Sequence, residues 1–121
     1  MDRVVYEEQV EKFSLGRKTG LSSRNWKARH MRLTKQALSY GENANAVPKL
    51  EILVTAISLL FTNPTPTDHP EAKGGAHYIT IRFFEGGVFD LLVKCSCAES
   101  KQKWIAAFTE ALERSKGSQV V

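Results

Sequence analysis

Eight cations and no carboxylate stand between positions 12 and 35: Lys12, Arg17, Lys18, Arg24, Lys27, Arg29, Arg32 and Lys35. The thirteen acidic residues fall within the first eleven positions and from Glu42 onward. A one-sign block inside a folded chain makes a surface that meets an anion, whether nucleic acid, an acidic protein face or a lipid headgroup. The same block would also serve as a solvated edge that keeps strands from pairing with other chains. Arg offers a planar fork of donors and Lys a mobile point charge, and both suit phosphate.

Alternation places some of these cations. Trp26, Ala28, His30 and Arg32 share one face of an extended run, and Lys27, Arg29, Met31 and Leu33 share the other. If Met31 and Leu33 enter a core, Lys27 and Arg29 continue that inward face toward the strand's start. In the run 9–18, Phe13, Leu15 and Arg17 alternate on one face, and a hairpin sets Arg17 beside that start. Tyr40 follows Leu38 in the same manner, and Lys49 opens the next strand. Basic or polar groups thus reach one rim from several strands. A closed core would leave such charges unpaired at high cost, whereas a mouth facing a polyanion would not. Lys18, Arg24, Arg32 and Lys35 add diffuse attraction to an anionic surface. Leu21, in the first loop, is placed to dip into a membrane interface.

Other chemistry is poorly supported. His30, His69 and His77 have no accompanying nucleophile or carboxylate constellation, and no Gly-rich phosphate loop precedes a helix. The chain is not expected to be an enzyme. Cys95 and Cys97 are too close in sequence to meet disulfide geometry readily, and two thiols without a nearby His do not make a zinc site. No cofactor or metal is expected. Nucleic acid is disfavoured because the aromatics look buried and not interleaved with the basic residues.

The elements that must position the cations follow from pattern. A chain of 121 residues with 42% apolar and 25% charged content is that of one soluble globular domain. No apolar run is long enough to span a bilayer. The first residues lack a secretory pattern, and neither end carries a lipidation motif, so a cytoplasmic location is expected. Short strands are predicted at 9–18, 26–34, 37–40, 50–54, 57–61, 77–84 and 88–95. Glu85-Gly86-Gly87 is a hairpin turn, 41–48 a polar loop and 63–76 a long Pro-containing loop. Ser96-Cys97-Ala98-Glu99 has the form of a capping box. Trp104, Ile105, Phe108 and Leu112 then recur at helical spacing over roughly five turns, with Gly117 as a stop. A single curled sheet needs a second layer, so this helix is expected to pack on it with Trp104 as the plug.

Trp26-Lys27-Ala28-Arg29-His30-Met31-Arg32-Leu33 resembles the second-strand pattern of pleckstrin-homology domains, Trp-Lys-x-Arg-Trp-Phe-x-Leu. Leu38-Ser39-Tyr40 is similar to that family's Leu-x-Tyr, and Pro48-Lys49 to the opening of its fourth strand. Ser96-x-x-Glu99 with Trp104-Ile105 looks like its closing helix. Together these matches span about 10–115. The pattern departs at His30-Met31, where the family has two aromatics, and in the first strand, Phe13-Ser14-Leu15-Gly16-Arg17-Lys18.

The resemblance implies a mainly β fold: a seven-stranded, partly open β-barrel of two near-orthogonal antiparallel sheets, capped by one C-terminal helix. It implies an extension at 1–9, a domain at 10–116 and a tail at 117–121. It also implies a phosphoinositide-binding module peripheral to the membrane. Lys18 or Arg17, Lys27 and Arg29 would match the family's basic motif, Tyr40 and Lys49 would add to the phosphate ligands, and Leu21 and Arg24 would touch the membrane. A monomer is expected. The alternative is a protein-interaction module of the same fold, with weak or no lipid specificity.

Overall fold

The computed structural model describes residues 3–15, 26–64, 77–113 and 119–121. Seven antiparallel strands run in chain order: β1 (Val4–Leu15), β2 (Lys27–Thr34), β3 (Ala37–Gly41), β4 (Leu50–Leu53), β5 (Ile57–Phe61), β6 (His77–Phe84) and β7 (Val88–Cys95). The helix α1 (Ala98–Leu112) follows, and a two-residue strand β8 (Gln119–Val120) ends the chain. The strands form one sheet in the order β4-β3-β2-β1-β7-β6-β5-β8. Hydrogen bonds do not close this barrel. A single turn of 3₁₀ helix, Val54–Ala56, carries the chain from β4 to β5, and these two strands share no ladder in the sheet order.

Local chemistry explains most boundaries. β2 and β3 are joined tightly because the Thr34 hydroxyl accepts from the backbone N–H groups of Gln36 (3.2 Å) and Ala37 (3.1 Å). In the β6–β7 hairpin the backbone turns through Gly86 at φ 71°, a region that favours glycine. Along β6, Ile79, Ile81 and Phe83 enter the core and Phe84 is exposed, the alternation expected of a curled sheet.

The core fills the concave side of the sheet and ends against α1. Trp104 is fully buried. It packs edge-on against Tyr6 at 4.7 Å between ring centroids and lies 5.9 Å from Phe108. Its indole N–H donates to Glu8 Oε1 at 3.3 Å. Glu8 also accepts from the hydroxyls of Ser100 and Tyr6. One β1 carboxylate thereby ties the helix to the sheet and satisfies a polar atom that burial would otherwise leave unpaired. Burial, reinforced by Glu8, pushes the Tyr6 phenol up to about 12.

Several expectations need correction. The helix is capped by Cys97, not Ser96: the Cys97 thiol accepts from the Ser100 N–H at 3.4 Å. Its 15 residues make about four turns at 3.6 residues per turn, not five. Residues 4–9, read as an extension, are the first half of β1 and pair with β2 from Val4↔Thr34 onward. Residues 119–120, read as tail, pair in parallel with Leu59 and Leu60 of β5.

Phe13 does not face the core. It forms a second buried cluster with Tyr78, Leu92 and Trp26 on the sheet's convex side, with ring centroids 5.5 Å (Phe13–Trp26) and 5.6 Å (Trp26–Tyr78) apart. The inward residues of β1 are those in step with Val10, because Val10, not Phe13, joins the main core.

Two predictions arise here. Val121 donates its N–H to the Leu60 carbonyl at 2.8 Å and accepts at its own carbonyl from the Thr62 N–H and hydroxyl, both at 2.7 Å. Deleting 119–121 should therefore cost about 1.5–3 kcal/mol in urea denaturation, at ~0.5–1 kcal/mol for each of these three bonds. Amide exchange should show the Thr62 N–H losing protection, and an unchanged Thr62 amide would refute the pairing. The thiols should also separate. Burial, then Glu8, pushes Cys95 up to about 12, so it stays a protonated, unreactive thiol at neutral pH. Cys97 is exposed. A thiol-reactive dye should label one site per native chain and two after unfolding, with Cys97→Ser removing the native signal.

Candidate functional site

The ends of several strands converge on one rim. β1 pairs with β2 as far as Lys12↔Lys27 and with β7 as far as Leu15↔Asp90. The end of β1, the start of β2 and the β6–β7 turn, which closes three residues before Asp90, therefore share an end of the sheet. β3 pairs with β2 up to Gly41↔His30, which brings the β3–β4 loop to the same end.

The inward face of β2 carries Met31 and Leu33, both fully buried, and Arg29 and Lys27 continue it toward the rim, as alternation predicts. Arg29 lies across from Val10 and Lys27 across from Lys12. Tyr40, only 6% exposed, lies across from Met31. The Lys12 ammonium sits 4.9 Å from the centre of the Tyr40 ring, a cation–π distance. Lys12, Lys27, Arg29 and Tyr40 are thus gathered on one concave rim.

The electrostatics of this group are unusual. Two lysines stand directly opposite one another, an arrangement that destabilises a sheet unless a counter-charge intervenes. Arg29 donates from Nη1 to the Ala28 carbonyl at 2.8 Å, but its Nε is buried without a hydrogen-bond partner. Among the described residues, neither Lys27 nor Arg29 forms an ion pair with a carboxylate. A buried, unsatisfied donor on a charged group costs folding energy that an anion would return.

The convex face of β2 is organised differently. His30 Nε2 lies 2.7 Å from Glu7 Oε1, and Arg32 donates to the same oxygen from Nη2 at 3.1 Å. His30, and next Arg32, hold the Glu7 carboxyl below the usual carboxylate range. Arg32 also donates to the Ala44 carbonyl. Arg32 on this face thus already shares a carboxylate, whereas Lys27 and Arg29 on the concave face pair with none among the described residues.

The expected site residues fall into three groups. Lys27, Arg29 and Tyr40 lie together. Lys49 stands apart: it is exposed, its Nζ is 3.4 Å from Glu42 Oε1, and it alternates with buried Leu50 along the chain. Arg17, Lys18, Leu21 and Arg24 lie outside the described residues. The premise that placed Arg17, that it shares an inward face with Phe13, fails because Phe13 faces the convex cluster. The β1 cation on the inward face is Lys12, which sequence reading passed over. The signal for it was the Val10–Lys12 spacing, in competition with Phe13–Leu15.

With Lys12 on β1 and Lys27 and Arg29 on β2, the arrangement suits an anion with several charged oxygens. Among the described residues no group of three or more His, Cys, Asp or Glu could hold a metal ion. No helix among the described residues is long and apolar enough to cross a membrane.

Comparison with known proteins places this geometry. The family model described as PH domain matches residues 4–113. No curated protein sequence matches the chain. Among solved structures, Vav1 inhibited by an allosteric inhibitor aligns at a TM-score of 0.67 and 15% identity, over 93% of this chain and 27% of that one. The apo activated truncation of Vav1 aligns at 0.68 and 14%, again over 93% and 27%. Autoinhibited Vav1 aligns at 0.65 and 14%, over 93% and 19%. The chain spans about a quarter or less of those structures, and at such identities they share its fold alone. PH domains are generally non-catalytic modules that mediate membrane or protein interactions. The seven-stranded open sheet, the helix that plugs it with Trp104 and the match over nearly its whole length make this chain a member of the PH domain family.

Proposed function

We propose that this chain is a membrane-targeting module that holds the phosphates of a phosphoinositide headgroup in the basic mouth of its barrel. The observation that carries this reading is Arg29, whose Nε is buried and unpartnered on the concave rim. Arg29 supplies a fork to one phosphate. Lys12 and Lys27, opposite each other on β1 and β2, take others as point charges, and the Tyr40 hydroxyl donates to a phosphate oxygen. Arg17, Lys18 and Arg24 are proposed to add attraction to the anionic leaflet and Leu21 to touch it. Lys49 is proposed as a weaker contributor, since Glu42 competes for it. The chain would then associate peripherally with a cytoplasmic membrane face.

The test is binding to liposomes with and without each phosphoinositide, for wild type and Arg29→Ala, at two salt concentrations. The expected result is binding that needs a phosphoinositide, depends on salt and falls at least ~tenfold in the variant, as losing charge-assisted bonds predicts. Equal, weak binding to every anionic liposome, indifferent to Arg29, would overturn it. A stable complex with a protein partner that survives Arg29→Ala would favour the protein-interaction alternative.

A further inference from the structure

β5 reads Ile57-Ser58-Leu59-Leu60-Phe61, a run so apolar that an open edge there would invite pairing with another chain. The chain lays its own end against that edge. Gln119 and Val120 pair in parallel with Leu59 and Leu60. The Val121 N–H donates to the Leu60 carbonyl at 2.8 Å. The Thr62 N–H and hydroxyl converge on the Val121 carbonyl, each at 2.7 Å. Thr62 thus closes the edge with two donors aimed at one oxygen.

This occupant is held by its backbone and only lightly by its side chains. Val120 is 43% exposed and Val121 is 56% exposed, so their docking takes only part of their apolar surface out of water. The ladder with β8 takes two of the five residues of β5, and parallel pairing is the less stable arrangement per residue. A strand added to an edge gains affinity from main-chain hydrogen bonds and specificity from alternate side chains. Leu60 is buried, and Leu59 and Phe61, on the other face, are half-buried. An incoming strand therefore meets aliphatic and aromatic neighbours on both faces, which suits β-branched side chains.

We propose that the outer edge of β5, closed by Thr62, is a docking site for an extended, β-branched peptide segment of a partner protein, and that residues 119–121 occupy it in cis until that segment displaces them. The seated tail selects the occupant. A strand bound through its N–H and C=O groups, with one carbonyl on Thr62, already fits. A longer strand in the same register adds pairs along β5 beyond the two that the tail makes. Two strands, β7 and β6, separate β5 from β1 in the sheet, so this edge is distinct from the basic mouth and the inference goes beyond the headgroup reading.

The test titrates the full chain with a fluorescent peptide, Thr-Val-Gln-Val-Val with blocked ends, which sets two β-branched residues ahead of the tail's last three. Val121→Pro lacks the N–H that Leu60 accepts, so it releases the tail while keeping the full chain. It should bind the peptide at least ~tenfold more tightly than wild type, because a site occupied in cis about nine-tenths of the time is open to a competitor only for the remainder. Deleting 119–121 should tighten binding likewise. Adding Thr62→Val to Val121→Pro should weaken it again, since one of the two donors is gone. Amide shifts on binding should fall on Leu59 to Thr62 and spare Leu50 to Leu53 of β4, at the other edge of the sheet. Circular dichroism checks that each variant is folded, and either released variant alone suffices. Equal affinity for wild type and the released variants, or no binding to any of them, would overturn the proposal. So would shifts confined to β4. Released variants that dimerise and ignore the peptide would assign the edge to a second copy of the chain and overturn it too.

Discussion

Trp104→Ala is expected to destabilise the domain by about 3–5 kcal/mol, the range for emptying a fully buried Trp site. Trp104 has no exposed surface, and its ring is held between Tyr6 and Phe108. The substitution opens a cavity where α1 meets the sheet, and it also removes one of the donors to Glu8. A carboxylate that loses a donor while staying partly buried is left with an unmet desolvation cost. Against a total stability of about 5–15 kcal/mol for a domain of this kind, the variant should be largely unfolded or sharply lowered in its urea midpoint. Trp104→Phe separates the two contributions. It keeps an aromatic plug and deletes the N–H, so it should cost about 1–3 kcal/mol. If Trp104→Ala lost less than about 1 kcal/mol, the helix would not be the barrel's plug.

Arg29→Met should separate binding from stability in opposite directions. Methionine has a similar reach and no polar atom, so it removes a buried Nε that has no partner. Among the described residues, the side-chain hydrogen bond lost is the one to the neighbouring Ala28 carbonyl. Relief of an unsatisfied buried donor is worth about 1–3 kcal/mol where the substitute packs well, so the melting temperature should hold or rise. Phosphoinositide binding should meanwhile fall about 10–100-fold, the equivalent of about 1.4–2.8 kcal/mol of lost charge-assisted contact. A residue that weakens the fold and is needed by the ligand is a functional residue in energetic terms. The opposite pattern, a large loss of stability with binding lost only in proportion to the unfolded fraction, would make Arg29 structural. Lys27→Met is a useful companion. It relieves the Lys12–Lys27 opposition and should weaken binding without lowering the melting temperature.

Much of the fold was legible in the residues because period-2 alternation is strong where one face of a strand is buried and the other is wet. The strands at 57–61, 77–84 and 88–95 match their predicted bounds. The split of β2 into Lys27-Arg29-Met31-Leu33 and Trp26-Ala28-His30-Arg32 survives intact, since Met31 and Leu33 are the buried members. Trp104 was recognisable as the plug from helical spacing alone. These are local patterns, and the residues that create them also decide them.

The face of β1 was not legible, and that choice controls the candidate site. Val10 and Phe13 are both buried, three residues apart and hence on opposite faces of a strand. The sheet is covered on both sides there, by the main core and by the aromatic cluster around Trp26. Alternation cannot choose between two buried faces; only packing across the sheet does, and it chose Val10, which turned Lys12 into the mouth. The Cys97 cap depended on a one-residue difference in where the backbone leaves β7, and capping residues tolerate that ambiguity. The β5–β8 pairing joins residues about sixty positions apart and leaves no local mark. By itself the sequence determined that a basic concave rim exists and that β2 contributes Lys27 and Arg29 to it. Tertiary structure decided which β1 cation stands opposite them, because the side of a doubly covered strand is settled by its partners and not by its own pattern.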